Sequence, residues 1–355
     1  MSINISDIIP IIIVFQSFLF AIVLLTDNGP KKICNRYLAS FLTLLGVQFM
    51  IIVGESIGVE LYFLSSNTCI FGFSYGPLLF LYSKTLIYKS FNFNMNQLLH
   101  FIPAGIIMLC SVFGYFLCET VRILIYLSLL TYISLAIREM LNYRRILRET
   151  QSSLNRTDLV WLQWTMIIFS IALLLHIVDQ FLWNMYIAGG ISSIHITILL
   201  LVNWMFYKGL KQPQIFLGIT KMDKEVLNDI KNTSFRKDPD SDEQLDLHKI
   251  KSFMEESEYY TNPQSNLKDL ADELELSPRR VSYLINTFCN QHFLSFVNDY
   301  RIEKAKSQLE NPLDASETIL EVMYDVGFNS KSSFFTIFKK KTGLTPSAYK
   351  NKYAT

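Results

Sequence analysis

Seven stretches, each close to the roughly 20 mainly apolar residues that a helix needs to cross a hydrocarbon core of about 30 Å, fall within the first 212 positions, and no other feature constrains this chain as strongly. They run approximately over 7–25, 37–54, 69–88, 98–117, 121–141, 158–181 and 190–208, the fifth being the weakest because Arg122 and Glu139 sit near its ends. With 50% hydrophobic and only 18% charged residues in 355, the chain carries more apolar surface than a soluble core of that size readily hides, which excludes a wholly soluble or disordered protein. No basic residue precedes the first run and no small-x-small site follows it, so the run is expected to stay as a helix and not to be a cleaved leader.

Charge divides the chain. Residues 1–212 hold 13 Lys and Arg and 9 Asp and Glu, whereas residues 213–355 hold 19 and 22. Basic residues collect in cytoplasmic loops. An outside N-terminus puts Lys31, Lys32, Arg36, Lys84, Lys89, Arg138, Arg144, Arg145, Arg148, Arg156, Lys208 and Lys211 inside and leaves Arg122 for the outer side, which carries Asp7, Glu55, Glu60 and Glu119. The expected location is therefore the cytoplasmic (inner) membrane, multi-pass, with the C-terminal half in the cytoplasm. The cysteines Cys34, Cys69, Cys110, Cys118 and Cys289 form no C-x-x-C and have no histidines at zinc-finger spacing. Buried thiols are expected, with neither a metal module nor a disulfide framework.

Ionisable side chains at membrane depth are costly and usually face a bundle interior or a cavity. His176 and Asp179 share a helix face at i, i+3, and His195 opens the next helix. The three form a candidate ligand pocket near the outer leaflet; no metal or cofactor is expected. Gly76-Pro77 removes a backbone donor inside the third run and permits a kink.

Residues 213–244 are polar and turn-rich and read as a cytoplasmic linker. From 245 onward the apolar spacing is helical throughout. Leu245, Ile250, Phe253 and Met254 mark a first amphipathic helix, and Leu267, Leu270, Ala271 and Leu274 a second. After a break at Glu275-Leu276, Ser277 and Pro278 supply a cap and a first-turn proline for a third helix through Val281, Leu284, Ile285 and Phe288. A tight turn between two short helices is a helix-turn-helix. A long helix from Phe293 to Leu309 follows, and the pattern recurs: Ile319, Val322 and Val326, then Gly327, then Ser330 capping a helix through Phe334, Phe335 and Phe338 to Gly343.

The stretch Ile319 to Lys350 contains Gly327-Phe328, Ser330, Ser332, Phe334, Phe338-Lys339, Gly343, Thr345-Pro346 and Tyr349 at the spacing of the AraC-type signature. Residues from about 245 to 352 thus resemble the double helix-turn-helix domain of AraC-type (AraC/XylS) bacterial transcription regulators, with Met323 departing from the family's usual Ala. The N-terminal half resembles, more loosely, multi-pass proteins in which such a domain follows seven helices. The expected fold is all-α: a multi-pass transmembrane bundle over 1–212, the linker, and a soluble double helix-turn-helix domain over 245–355.

Recognition helices lay their N-terminal residues against base edges. In the first unit these are Arg279, Ser282 and Tyr283, with Arg280 taking phosphate; in the second, the resemblance implies Lys331, Ser332, Phe335 and Thr336. Residues 327–355 contain six lysines and no acid, and Lys339 and Lys340 are assigned to phosphates. Val281, Leu284, Phe334 and Phe338 are expected in the core. The function expected is that of a membrane-bound, sequence-specific DNA-binding transcription regulator whose bundle senses a signal. The rival reading is an intramembrane enzyme using His176, Asp179 and His195, with the DNA-binding domain as autoregulator. Expected partners are double-stranded DNA, the lipid membrane and a small-molecule or protein signal, with a homodimer and RNA polymerase as further candidates.

Overall fold

The computed structural model describes residues 5–27, 29, 32–59, 62–89, 91, 93–153, 159–178, 193–211, 239–312 and 317–353. Their secondary structure is helical apart from isolated bridge positions, among them the antiparallel pair Gln151 with Asn266. The chain divides into two units, Met1–Leu141 with Leu159–Gly218 and Asn142–Asp158 with Ile219–Thr355.

The first unit is a helical bundle. Its long helices are α1 (Ile5–Thr26), α2 (Lys32–Ser56), α3 (Cys69–Ile87), α4 (Ile102–Val112, led in by a 3-10 segment at Met95–Phe101), α5 (Arg122–Thr150, up to Leu141), α6 (Val160–Val178) and α7 (Ser193–Lys211). Among the described residues, five segments are long and apolar enough to cross a membrane: Ile8–Thr26, Lys32–Ser56, Met95–Val112, Arg122–Thr150 and Val160–Val178. Helix α1 packs on α2 and α7, α2 on α3, α3 on α4, and α6 on α7. Large apolar side chains also face outward, among them Phe15, Leu109, Leu127, Leu175 and Leu200. A surface of that kind marks a non-aqueous or partner environment.

Two small residues let α3 and α5 approach. A Cβ on Gly72 would stand 2.6 Å from Ile125 Cγ2, and one on Gly76 would stand 2.9 Å from Tyr132 Cδ2 and 3.0 Å from its Cβ. The pair is one helical turn apart, the small-xxx-small arrangement of close helix pairs. Gly76 thus serves packing beside its link to Pro77, which α3 accommodates within a continuous helix. Gly76→Val should destabilise the bundle by about 1 to 3 kcal/mol through overpacking. The temperature at which the detergent-solubilised chain loses its monodisperse elution peak should fall, whereas Gly105→Val, where a Cβ meets nothing within 4 Å, should leave it in place.

One expectation is corrected here. Cys69 and Cys118 form a disulfide with Cα atoms 5.2 Å apart, while Cys34, Cys110 and Cys289 take no part in a disulfide. The pair lies 49 residues apart in sequence, and only the return of the chain through α4 brings Cys118 back to the start of α3, where both cysteines neighbour Phe73, Ala104 and Ile107.

The second unit contains α8 (Ser241–Glu256), α9 (Leu267–Glu273), α10 (Pro278–Phe288), α11 (Phe293–Glu310), α12 (Ile319–Asp325), α13 (Lys331–Thr342) and α14 (Pro346–Tyr353). It has two apolar clusters, and α11 serves both. Phe293, Phe296 and Val297 enter one with α8, α9 and α10; Ile302, Ala305 and Leu309 enter the other with α12, α13 and α14. Met323 is fully buried in the second cluster, so the departure from Ala is accommodated. Leu245 faces outward, contrary to the apolar reading of its position. The fifth apolar run also does not stop near 141: α5 continues to Thr150, and from Asn142 onward it belongs to the second unit.

Candidate nucleic-acid interface

Asn266 opens α9 by accepting from Asp269 N at 3.0 Å. The turn that follows places Glu275 at φ +56°, and Ser277 Oγ then accepts from Arg280 N at 3.1 Å while Pro278 occupies the first position of α10. Val281, Leu284 and Ile285 are wholly buried. Helical periodicity then turns Arg279, Tyr283 and Asn286 outward, at i, i+4 and i+7.

The sequence-assigned residues separate on this helix. Arg279 is exposed at its N-terminus. Ser282 is 1% exposed, with the Asn286 amide donating to its carbonyl at 2.9 Å. Tyr283 is half-buried and donates to Glu243 Oε1 at 3.1 Å. Arg280 donates its Nε to Asp246 Oδ2 at 3.0 Å and holds Nη1 3.7 Å from Glu243 Oε1. A phosphate would have to displace both carboxylates, so Arg280 orients α8 against α10 in this structure.

The second unit repeats the construction. Thr318 and Glu321 form a capping box on α12, Ser330 caps α13, and Gly343 ends α13 at φ +78°. Phe334 and Phe338 are fully buried, as Val281 and Leu284 are in the first unit. Lys331, Ser332, Thr336, Lys339 and Lys340 are all exposed on α13. Phe335 is half-buried against the core with Lys331 Nζ 5.5 Å from its ring centroid, so only part of the ring is offered outward. Lys341 pairs with Asp299 at 2.6 Å and Lys350 donates to the Glu317 carbonyl.

Sequence reading missed Arg301, a 1%-exposed guanidinium in the middle of α11. It donates Nε to Tyr260 O at 2.6 Å, Nη1 to Ser152 O at 2.8 Å and Nη2 to Asn262 O at 2.9 Å. Burial pulls its pKa down to about 10, which leaves it charged near neutrality. The turn at Tyr260–Asn262 also receives Gly327, at φ +91°, whose added Cβ would meet Thr261 O at 2.5 Å and Tyr260 O at 2.7 Å. Arg301 and Gly327 therefore fix one helix-turn-helix against the other through the same backbone. A lone Arg on a mixed helix face gives no sequence signal for this.

Within the bundle unit a cavity of about 400 Å³ is lined by residues from α2, α3, α5, α6 and α7. His176 and His195 both line it, and His195 meets the Phe49 ring edge-on at 5.2 Å. Asp179 lies outside the described residues. Gln48, Tyr75 and Thr165 add polar groups that the sequence did not single out, with Tyr75 Oη hydrogen-bonded to Gln48 Oε1. Among the described residues no group of three His, Cys, Asp or Glu could hold a metal ion.

Comparisons agree with the geometry of the second unit. Residues 270–352 match a family model described as a helix-turn-helix domain. The uncharacterized HTH-type transcriptional regulator YdeC of Bacillus subtilis is 30% identical over 116 residues, covering 33% of this chain and 39% of that protein. An uncharacterized HTH-type transcriptional regulator in the cgkA 5' region of Pseudoalteromonas carrageenovora is 34% identical over 77 residues, 21% of this chain and 43% of its own length. Histidine kinase P4 of Formosa agariphila is 32% identical over 114 residues, 32% of this chain but 8% of that protein. The chain thus spans less than half of these relatives. No solved structure matches it. The C-terminal part of this chain carries a helix-turn-helix domain of the AraC type, shared with proteins that are HTH-type transcriptional regulators.

Proposed function

We propose that the chain is a multi-pass membrane protein that regulates transcription, its helix-turn-helix domain reading DNA in the cytoplasm and its bundle cavity receiving an outer or lipid-dissolved signal. The observation that carries the reading is the union, in one polypeptide, of a bundle with an outward apolar surface and an AraC-type domain with exposed Arg279, Lys331, Lys339 and Lys340. The apolar lining with Gln48, Tyr75, Thr165 and the two histidines suits a lipophilic small molecule with one hydrogen-bonding group. The disulfide supports the orientation. Cys69 and Cys118 fall at helix ends that the charge distribution assigns to the outer side, where thiols oxidise, whereas Cys34 and Cys289, outside any disulfide, fall on the inner side.

Reporter fusions after Glu60 and after Leu210 test the orientation: activity on opposite sides of the membrane is expected, and the same side for both overturns it. The DNA reading is tested with the full chain in detergent micelles and duplexes recovered from a random-sequence pool. Lys339→Ala with Lys340→Ala should weaken binding to every duplex alike and lower the slope of log affinity against log salt by about one for each phosphate that is no longer neutralised. Full-chain protein that retains no duplex from the pool at low salt, with or without the substitutions, overturns the reading.

A further inference from the structure

Part of the outward face of the first recognition helix, around Ser282 and Asn286, is already occupied. Asn286 shares that face with Arg279 and Tyr283, and its Nδ2 donates to Glu149 Oε2 at 3.0 Å. Glu149 stands in the last turn of α5, is 1% exposed, and holds its other carboxylate oxygen 2.6 Å from His292 Nδ1. The same Asn286 Nδ2 also donates to the buried Ser282, to its carbonyl at 2.9 Å and towards its Oγ at 3.3 Å. A carboxylate thus sits over the flank of α10 on which base-reading side chains must approach DNA.

The residues after Glu149 continue along features that a helix-turn-helix turns towards a duplex. Gln151 bridges to Asn266, the cap of α9. Ser152 donates its N–H to Ser265 O at 3.1 Å and keeps its Oγ 2.9 Å from Ser265 Oγ. Ser153 Oγ donates to Asn329 Oδ1 at 3.3 Å, one residue before the cap of α13. In this motif the first helix lies at the phosphate backbone and the N-terminus of the recognition helix enters the groove. Four of five consecutive residues therefore touch the start of α9, the outward flank of α10 and the entry to α13.

Their chemistry suits a contact that opens. The segment reads Glu-Thr-Gln-Ser-Ser, and it is held by polar contacts, those of the Arg301 guanidinium to Ser152 and the 2.6 Å approach of Glu149 to His292 included. Its anionic group would face a polyanion, and like charges brought together at an interface are strongly disfavoured.

We infer that residues 149–153 are an autoinhibitory latch, a segment of this chain that occupies the DNA-reading face so that latch and duplex exclude one another. The inference rests on the DNA-binding reading above. It also supplies a route for the signal. Helix α5 lines the bundle cavity with Ile125, Tyr126 and Leu129 and runs without interruption to Thr150. Movement of α5 on occupancy of the cavity would withdraw Glu149 from Asn286.

The test uses the full chain in detergent micelles and, as probe, a fluorescein-labelled duplex selected from a random pool by the Glu149→Ala chain. Ser152→Cys with Ser265→Cys, at the hydroxyl pair, locks the latch when oxidised. The locked chain should bind the duplex at least about tenfold more weakly than the same chain after reduction, and wild type taken through the same cycle controls for the native disulfide. A locked chain that binds as tightly as the reduced one overturns the inference. Where the cysteine pair fails to fold or to close, Glu149→Ala decides. About tenfold tighter binding than wild type supports the latch, tenfold being what about 1.4 kcal/mol represents; equal or weaker binding overturns it and makes the segment a support for the domain. If wild type, the reduced pair and Glu149→Ala all retain no duplex, the DNA reading fails, and not the latch alone.

Discussion

Arg301→Leu should unfold the DNA-reading unit under conditions in which the wild-type unit is stable. The substitution removes the donors from three buried carbonyls, Tyr260, Asn262 and Ser152, and an unpaired buried acceptor costs about 1 to 3 kcal/mol. Breaking a buried charged network typically costs about 3 to 5 kcal/mol, a large share of the roughly 5 to 15 kcal/mol that holds a domain together. The substitution also removes the guanidinium that packs 5.5 Å from the Phe328 ring centroid. Urea-dependent proteolysis of the full chain in micelles measures the effect, because cleavage within 239–353 reports on this unit alone. The midpoint should fall steeply for Arg301→Leu and less for Arg301→Lys, which retains the charge without the planar fork. An unchanged midpoint would mean that water satisfies the three carbonyls.

Gly327→Ala should separate the second helix-turn-helix from the first. The added Cβ would lie 2.5 Å from Thr261 O and 2.7 Å from Tyr260 O, backbone atoms already committed to the neighbouring turn, and φ is +91°. Backbone strain in such a region alone costs about 1 to 3 kcal/mol, and the clash adds to it. Binding to a selected duplex should drop by a hundredfold or so, an effect of about 2.7 kcal/mol, with α12 and α13 still helical. The same change at Gly343, where φ is +78° but a Cβ meets nothing within 4 Å, should cost less, since only the conformational preference is violated. Equal effects at the two positions would show that contact with the Tyr260–Asn262 turn does not matter.

Much of this protein is legible from local sequence. Among the described residues, apolar runs of helical length mark α1 to α7, although two of these, Cys69–Ile87 and Ser193–Lys211, fall outside those apolar enough to cross a membrane by composition. Caps at Ser277, Thr318 and Ser330, with a left-handed stop at Gly343, fix the helices of both helix-turn-helix units. Val281, Leu284, Phe334 and Phe338 recur at core spacing and are buried. These properties depend on neighbours three or four residues away, which the one-dimensional string contains.

What the string does not contain is which distant groups meet. Cys69 finds Cys118, Gly76 admits Tyr132, and Arg301 reaches Ser152 across 149 residues of sequence. Ser282 reads as an exposed helix position because the six residues on either side say nothing of Glu149, and it is the end of α5 beside Asn286 that accompanies its burial. Hydrogen-bond satisfaction and steric fit are settled pair by pair in three dimensions. Local spacing thus accounts for the helices, their caps and the identity of the C-terminal domain, whereas three-dimensional packing makes Glu149 to Ser153 part of the DNA-reading unit, where their polar groups meet Asn286, Asn266, Ser265 and Asn329.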